Sequence, residues 1–308
     1  MSAEADELWR SFRESRPETF DLEEERAGVA AASREHPRRP GAVTSIRRLA
    51  DLDVVAARPG GELRDDPVVL WIHGGAFTVM RAESYDAPAG HLAMELGCEV
   101  LVPDYTTAPE ATYPTALDEV DACLAAIVAE EPDRAVVLLG DSAGAALAVG
   151  LLKRLRSRGG PGPVLTALVC PWLDLTLTNH SLRDNAANDA VLGAAPLQFH
   201  ADAYLGPDVS PEDPIASPYH GDLAGLGPIY IQAAEYDVLV DDAIRFTRKA
   251  RAAGVEVEME IAAEMPHSYQ FFAGIIPEAD MATTRLADRV RLRLRSGPGD
   301  VTTGPDAR

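Results

Sequence analysis

Six runs that look like buried strands, most of them continuously apolar, alternate with segments of helical pattern, and this alternation constrains the fold more than any other feature of the chain. The apolar runs cover residues 67–73, 98–105, 134–140, 164–171, 228–235 and 255–261. Uninterrupted apolar runs of this length are typical of strands that are covered on both faces. Helical patterns lie between them at 83–97, 115–131, 143–158 and 240–253. The pattern therefore predicts an α/β fold with a mostly parallel central sheet flanked by helices.

Two regions interrupt the alternation. Residues 174–227 are rich in Asp, Asn and Pro, with a helical patch at 196–205, and residues 1–35 read as helical in a charged background. Long insertions in a compact domain are usually functional. We expect both regions to cover the carboxyl edge of the sheet, where open α/β sheets bind ligands. Residues 49–65, ahead of the first run, read as an edge strand or a hairpin.

These features divide the chain into a core and a helical cap. The predicted organisation is N-terminal cap helices at 1–40, an α/β core at 41–173 and 228–296, a cap insert at 174–227 and a disordered tail at 297–308. The tail is assigned from its Gly/Pro-rich composition.

Composition excludes several classes of partner. The chain has 308 residues, 46% hydrophobic and 25% charged, with a formal net charge of −21. An acidic surface repels phosphate backbones and anionic lipid headgroups, which argues against nucleic-acid and membrane partners and disfavours a strongly anionic substrate. The chain lacks an 18-residue apolar run, and its charged N-terminus does not resemble a secretory signal, so a cytoplasmic location is expected.

Neither a disulfide framework nor a metal site is predicted. Cys98, Cys123 and Cys170 lie far apart without a CxxC spacing, and we expect them to be small buried hydrophobic residues. HExxH motifs and clustered His/Cys spacings are absent from the sequence. We therefore expect no cofactor and no metal.

The motif G-x-S-x-G occurs where a strand pattern meets a helix pattern. Ser142 stands between Gly140 and Gly144 in "VVLLGDSAGAALA". In this context the motif is typical of a nucleophile elbow, a tight turn that presents the serine hydroxyl above the sheet. The alternative is a serine that only caps the following helix.

A glycine-rich segment upstream fits an oxyanion hole. His73, Gly74, Gly75 and Ala76 directly follow the first apolar run. Paired glycines let backbone amides approach a carbonyl oxygen closely. We expect the oxyanion donors to be the amides of Gly74, Gly75 and Ala76, together with that of Ala143.

A serine nucleophile requires a base and a carboxylate that orients the base. In this architecture the chain order is Ser, then Asp or Glu, then His. His267 follows the last apolar run and is the predicted base, in preference to the three histidines of the insert: His180, His200 and His220. Asp237 follows the preceding run and is the predicted acid, with Glu235 and Asp241 as rivals.

Taken together, these segments resemble the hormone-sensitive lipase-like family of α/β-hydrolase esterases. The resemblance covers about residues 65–275 and rests on "HGGAF", "PDYTTAPEATYP", "GDSAG", "CPWLDLT", "DPIASPYHGDLAGLGP" and "EYDVLVDDA". Ala76 replaces the third glycine of the oxyanion motif, and Thr106 and Thr107 replace Arg and Leu. Val238 replaces the proline after the catalytic acid, and Ser268 replaces the glycine after the base.

The resemblance implies a cap formed by the N-terminal helices and the insert. The stretch "DYTTAPE" is expected to do no chemistry: Pro109 fixes a turn together with Pro114, and Glu110 satisfies buried polar groups. The His73 side chain is expected to hold its loop by hydrogen bonding.

The leading hypothesis is a serine carboxylesterase that hydrolyses a small to medium, largely uncharged ester through an acyl-enzyme on Ser142, as a monomer or homodimer. One alternative keeps the scaffold for dehydration, lactone or acyl-transfer chemistry on a specialised metabolite. The other is a ligand-binding receptor, which is disfavoured because all three triad positions are filled.

Overall fold

The computed structural model describes residues 1–15, 19–61 and 67–296. Its eight-stranded sheet has the order β1-β2-β4-β3-β5-β6-β7-β8. The strands are β1 Ala42–Leu49, β2 Leu52–Pro59, β3 Val68–Ile72, β4 Glu99–Pro103, β5 Val136–Asp141, β6 Leu165–Val169, β7 Ile229–Ala234 and β8 Val257–Ala262. Strands β3 to β8 run parallel, whereas β2 is antiparallel to both β1 and β4.

Helices connect the strands and cover both faces of the sheet. They are α1 Ala3–Ser15, α2 Leu22–Arg34, α3 Asp86–Leu96, α4 Thr115–Glu130, α5 Ala143–Arg158, α6 Ser181–Asp184, α7 Ala194–Leu205, α8 Val240–Ala252 and α9 Pro277–Ser296. Short 3-10 helices cover Ala82–Tyr85, Pro218–His220 and Tyr269–Phe272. The alternation of strand and helix confirms the α/β fold with a mostly parallel sheet that the apolar runs predicted.

All six apolar runs contain a strand of the sheet. The residues of β3, β4, β6 and β7 are buried along their full length. A strand covered on both faces carries mostly apolar side chains, which explains the apolar runs.

The hairpin at the sheet edge begins earlier than predicted. Its first strand, β1, starts at Ala42, outside the predicted range of 49–65, and the last part of that range, 62–66, lies outside the described residues. Most residues of β1 are exposed or half-buried, including Arg47 and Arg48. An edge strand with one open side needs no apolar run, so its sequence carried no strand signal.

The core lies in two layers, one on each face of the sheet. One layer packs α4, α5 and α8 against the sheet, and α7 of the insert joins it through Leu197 and Tyr204. The other packs α1, α3 and α9 on the opposite face, with Trp9 of α1 against Phe272 at a ring separation of 5.1 Å. Because β3, β5, β7 and β8 run parallel, the loops that follow them lie at the same edge of the sheet.

Within the described residues, none of the helices combines the length and the apolar character that crossing a membrane requires. The predicted disordered tail at 297–308 lies outside the described residues.

Candidate active site

Ser142 occupies a strained turn between β5 and α5. Its backbone has φ 51° and ψ −121°, a conformation that residues other than glycine rarely adopt. A Cβ on Gly140 would lie 2.5 Å from the Gly144 carbonyl oxygen, and a Cβ on Gly144 would lie 2.1 Å from the Ile72 carbonyl oxygen. Only glycine fits at these two positions. Ser142 stands at the N-cap of α5, but its side chain makes no capping hydrogen bond, which disfavours the helix-cap reading.

The imidazole of His267 contacts the Ser142 hydroxyl. Its Nε2 lies 2.9 Å from Ser142 Oγ, and both side chains are buried. Burial alone would lower the pKa of His267, but the carboxylates of Asp237, Asp189 and Asp141 outweigh it and raise the pKa above its usual value. The arrangement lets His267 accept the serine proton and hold it.

Asp237 lies on the other side of the imidazole. Its Oδ2 is 2.9 Å from His267 Nδ1, although the N–H direction is not aligned well enough for a hydrogen bond. Contacts of this kind often tighten only when substrate is bound. The rival Glu235 instead accepts the Glu264 amide at 2.9 Å, and the rival Asp241 accepts the Ser181 amide at 3.0 Å. Of the three candidate acids, Asp237 is therefore the one that the fold brings to His267.

The histidines of the insert have other partners. His200 Nδ1 lies 2.6 Å from the Thr78 hydroxyl, and His220 Nε2 lies 2.8 Å from Asp174. His180 stands at the N-cap of the four-residue helix α6. His200 thus connects the insert to the loop that carries Thr78, whereas the His220 contact lies within the insert, and neither contact involves Ser142.

The oxyanion loop turns tightly after β3. Gly75 and Ala76 have positive φ values of 95° and 52°, and a Cβ on Gly75 would lie 2.5 Å from Met80. Among the hydrogen bonds of the described residues, none uses the amides of Gly75, Ala76 or Ala143. These three amides are therefore available to a ligand oxygen.

Gly74 differs from the other predicted oxyanion donors. Its amide donates to the Tyr85 hydroxyl at 2.8 Å and to Asp141 Oδ1 at 3.1 Å. An N–H already shared between two buried acceptors does not face a substrate. The structure thus gives Gly74 the task of holding the loop, and a Cβ there would meet Asp141 Oδ2 at 2.5 Å.

Asp141, missed by the sequence analysis, anchors this loop. Besides the Gly74 amide, it accepts the indole N–H of Trp71 at 2.7 Å and the hydroxyl of Tyr85 at 2.7 Å. Burial raises the pKa of Asp141 to about 6, while these donors favour its charged form. A carboxylate at the end of an otherwise apolar strand was the available signal, since a buried charge requires partners.

The "DYTTAPE" stretch supports the same loop from outside. Tyr105 donates to the His73 carbonyl at 2.8 Å and stacks on the His73 ring at 4.0 Å. Burial lowers the pKa of His73 to about 4, and its Nδ1 donates to the Gly74 carbonyl at 2.9 Å. A neutral, buried imidazole bonded to its own loop fits the expected holding role.

Glu110 does not satisfy buried groups as expected. Its side chain is exposed and forms a two-pronged ion pair with Arg26 of α2, at 2.6 and 2.8 Å. Arg26 also donates to the carbonyls of Thr78 and Ala108, at 2.8 and 2.9 Å. Glu110 therefore attaches the second N-terminal helix to the loops that flank the oxyanion segment.

Aromatic side chains join the insert to the oxyanion loop. Phe77, which follows Ala76, stacks on Tyr204 of α7 at 3.8 Å and packs against Trp172 at 5.5 Å. All three rings are buried. This stack attaches α7 to the loop that carries Ala76.

One group of possible metal ligands exists among the described residues. Cys170, Asp237 and His267 offer atoms within 4.8 Å of one another. Two of these residues already form the Ser142 relay, and burial raises the pKa of the Cys170 thiol well above its usual value. Metals bind the thiolate, so a thiol that resists ionisation is a poor ligand.

Known proteins share this arrangement of the chain. Residues 69–271 match the model of a protein family that is described as having the alpha/beta hydrolase fold. An esterase of Acinetobacter venetianus is 37% identical over 222 residues, which cover 72% of this chain and 73% of the relative. An acetyl-hydrolase of Streptomyces hygroscopicus is 34% identical over 244 residues, covering 79% and 80%. The crystal structure of an esterase from the bacterial hormone-sensitive lipase family superposes with a TM-score of 0.89 at 32% identity, covering 96% of this chain and 99% of that one.

Proposed function

Because the chain belongs to the α/β-hydrolase fold family and is a carboxylic ester hydrolase, we propose that it works through an acyl-enzyme on Ser142. The observation that carries the proposal is the continuous relay from Ser142 Oγ through the His267 ring to Asp237, with 2.9 Å at each step. This relay faces a loop whose backbone amides at Gly75 and Ala76 are available to bind an oxyanion.

Acylation begins when His267 Nε2 takes the Ser142 proton as Oγ attacks the ester carbonyl carbon. The carbonyl oxygen becomes an oxyanion, held by the amides of Gly75, Ala76 and Ala143. Losing one such donor typically costs about 3 kcal/mol of transition-state stabilisation. Asp237 stabilises the imidazolium and keeps its proton on Nδ1.

The tetrahedral intermediate then collapses. Protonated His267 gives its Nε2 proton to the leaving alcohol, and the acyl group remains on Ser142. Water repeats the steps: His267 removes its proton, the oxygen attacks the acyl carbon, and the carboxylic acid leaves as Ser142 regains its proton. Each proton taken by His267 is returned, so the resting enzyme is restored.

The proposed substrates are small to medium, largely uncharged esters. The net charge of −21 disfavours anionic substrates, and the acetyl-hydrolase relative supports a short acyl group. We further propose that the cap consists of residues 1–40 and 174–227, that the protein acts in the cytoplasm as a monomer or homodimer, and that it has no nucleic-acid partner.

Turnover of p-nitrophenyl acetate and butyrate tests the proposal. We expect a burst of p-nitrophenol equal to the enzyme concentration, then steady turnover, with kcat lowered by about 10⁴-fold or more in Ser142→Ala. Asp241→Asn, which alters a rival acid, is the matched control and should retain activity. Phosphonate labelling of Ser142 without ester turnover would instead support the dehydration, lactone or acyl-transfer alternative.

A further inference from the structure

We propose that Asp189 of the insert is a positioning residue that ties the loop of the catalytic acid to the loop of the catalytic base. The proposal rests on the function proposed above, because it assigns Asp189 a task in the relay of Ser142, His267 and Asp237. It also gives the insert a part in the chemistry, besides shaping a pocket.

The carboxylate of Asp189 is buried between the two loops. Asp189 is only 1% exposed to solvent. Oδ2 accepts the amide of Val238, the residue after the catalytic acid, at 3.0 Å. Oδ1 faces the amide of His267 itself at 3.4 Å. The two oxygens thus reach segments that are 49 and 78 residues away along the chain.

The same side chain is held rigidly by its own loop. Oδ1 accepts the amides of Val191 and Leu192, each at 3.0 Å. A carboxylate fixed by local amides cannot swing to follow one distant loop and leave the other. Asp189 therefore sets the separation of the loops after β7 and β8, and with it the contact between Asp237 and His267.

The bond to Val238 depends on a departure from the family pattern. In the resemblance drawn from the sequence, this position is a proline, which has no backbone N–H to donate. Valine supplies the donor that Asp189 Oδ2 accepts at 3.0 Å. The contact is thus a property of this chain that the family motif does not provide.

Asp189 also acts through its charge. The acidic groups that face the His267 ring are Asp237, Asp189 and Asp141, and Cys170 lies beside it with a pKa raised well above its usual value by burial. Burial and the neighbouring Asp237 raise the pKa of Asp189 to about 6, so it is ionised at neutral pH. Its charge favours the imidazolium that forms when His267 takes the serine proton.

Asp189→Asn tests both effects, because it keeps the shape and removes the charge. In the asparagine variant, an NH2 group in the place of Oδ2 is itself a donor and cannot accept the Val238 N–H. We expect kcat for p-nitrophenyl butyrate to fall about 10- to 100-fold, the loss that small misplacements of catalytic groups cause, with KM within about twofold. The acid limb of kcat/KM should move to lower pH, because a negative charge that raises the pKa of His267 is lost.

Asp213→Asn is the matched control. Asp213 makes the same local turn in the insert, accepting the amides of Ile215 and Ala216 at 2.9 Å. It therefore reports the cost of weakening such a turn away from the relay. We expect its kcat and acid limb to match those of the unaltered protein.

Val238→Pro carries the test if Asp189→Asn does not fold. It removes the donor, keeps the Asp189 charge and restores the family residue. A fall in kcat with an unmoved acid limb supports positioning by the hydrogen bond. An unmoved acid limb in Asp189→Asn, with a kcat loss no larger than the loss of folded protein, overturns the proposal, as does unchanged kcat in Val238→Pro. Failure of the unaltered protein to turn over esters would refute the proposed function instead.

Discussion

The hydroxyl of Ser142 is aimed by its backbone, since its side chain makes no capping bond. Two hydrogen bonds tie the strained turn to the segment at the end of β6: the Ser142 amide donates to the Val169 carbonyl at 2.8 Å, and the Trp172 amide donates to the Ser142 carbonyl at 3.1 Å. Both partners lie at or just after the end of β6. The neighbouring strand therefore stabilises the strained backbone, and the hydroxyl remains free to contact His267.

A single hydroxyl group, that of Tyr85, holds the oxyanion loop in place. In Tyr85→Phe, Gly74 and Asp141 each lose a buried partner, which should cost about 1–3 kcal/mol of unfolding free energy. We expect kcat to fall about tenfold with little change in KM, because the loop acts on the transition state. Steady-state kinetics and urea unfolding measure the two effects.

Tyr230→Phe is the control for that substitution. Tyr230 is a buried tyrosine of β7 whose hydroxyl accepts from Gln232 at 3.3 Å. It should lose stability but keep kcat. Equal losses of kcat in both variants would contradict the role assigned to Tyr85.

The titration of His267 should set the acid limb of the pH profile. His267 must be neutral to accept the serine proton, and its three neighbouring carboxylates raise its pKa above 6.5. Activity should therefore rise with pH through a midpoint above 6.5. Measurement of kcat/KM between pH 5 and 9 checks this, and a midpoint below 6.5 would show that the carboxylates do not dominate.

Sequence reasoning predicted the relay residues because topology places them. A strand that must be followed by a tight turn fixes Ser142, and the loops after the last two strands offer few candidates for the acid and base. Asp141, Asp189 and the second role of Gly74 were missed, since each depends on contacts across more than 50 residues that no local pattern encodes.

At the level of the secondary-structure elements, the N-terminal helix α2 is attached to neighbouring loops by the polar contacts of Arg26. α2 has no fully buried residue, whereas Arg26 donates to two carbonyls and to Glu110. Helix α1 differs, because Ala5 and Trp9 are buried in the core. Polar anchoring of this kind allows α2 to loosen without disturbing the sheet.

Arg26→Ala should release α2. Loss of the charged hydrogen bonds should cost about 1.5–3 kcal/mol, and amide hydrogen exchange should become faster in α2 and in the loop around Thr78. Arg10→Ala is the control, because Arg10 forms an exposed ion pair with Asp6, which is worth less than about 1 kcal/mol. Unchanged exchange in α2 would contradict the anchoring role.

The elements themselves were predictable where burial dictates composition. Five of the six predicted strands are covered on both faces and mostly apolar, so they were located from the sequence, and the sixth, β8, was located although most of its residues are exposed or half-buried. Strand β1 was not, because an exposed edge strand has no such requirement, and helix α9 was absent from the predicted helices although residues 228–296 were assigned to the core.

For the whole molecule, charge is the property that acts at a distance. With a net charge of −21, neutral esters should be hydrolysed with higher kcat/KM than esters of the same size that carry a carboxylate. Added salt should narrow the difference, since screening weakens repulsion. Parallel assays of a matched ester pair from 0.02 to 0.5 M NaCl test this. A difference independent of salt would assign the preference to the pocket.

The proposed mechanism requires Ser142 to carry the covalent intermediate. Mass spectrometry of the protein after reaction with a p-nitrophenyl phosphonate tests it most directly. We expect one adduct per chain on the peptide that contains Ser142, formed much more slowly in His267→Asn and absent in Ser142→Ala. An adduct on another residue, or full ester turnover by Ser142→Ala, would contradict it.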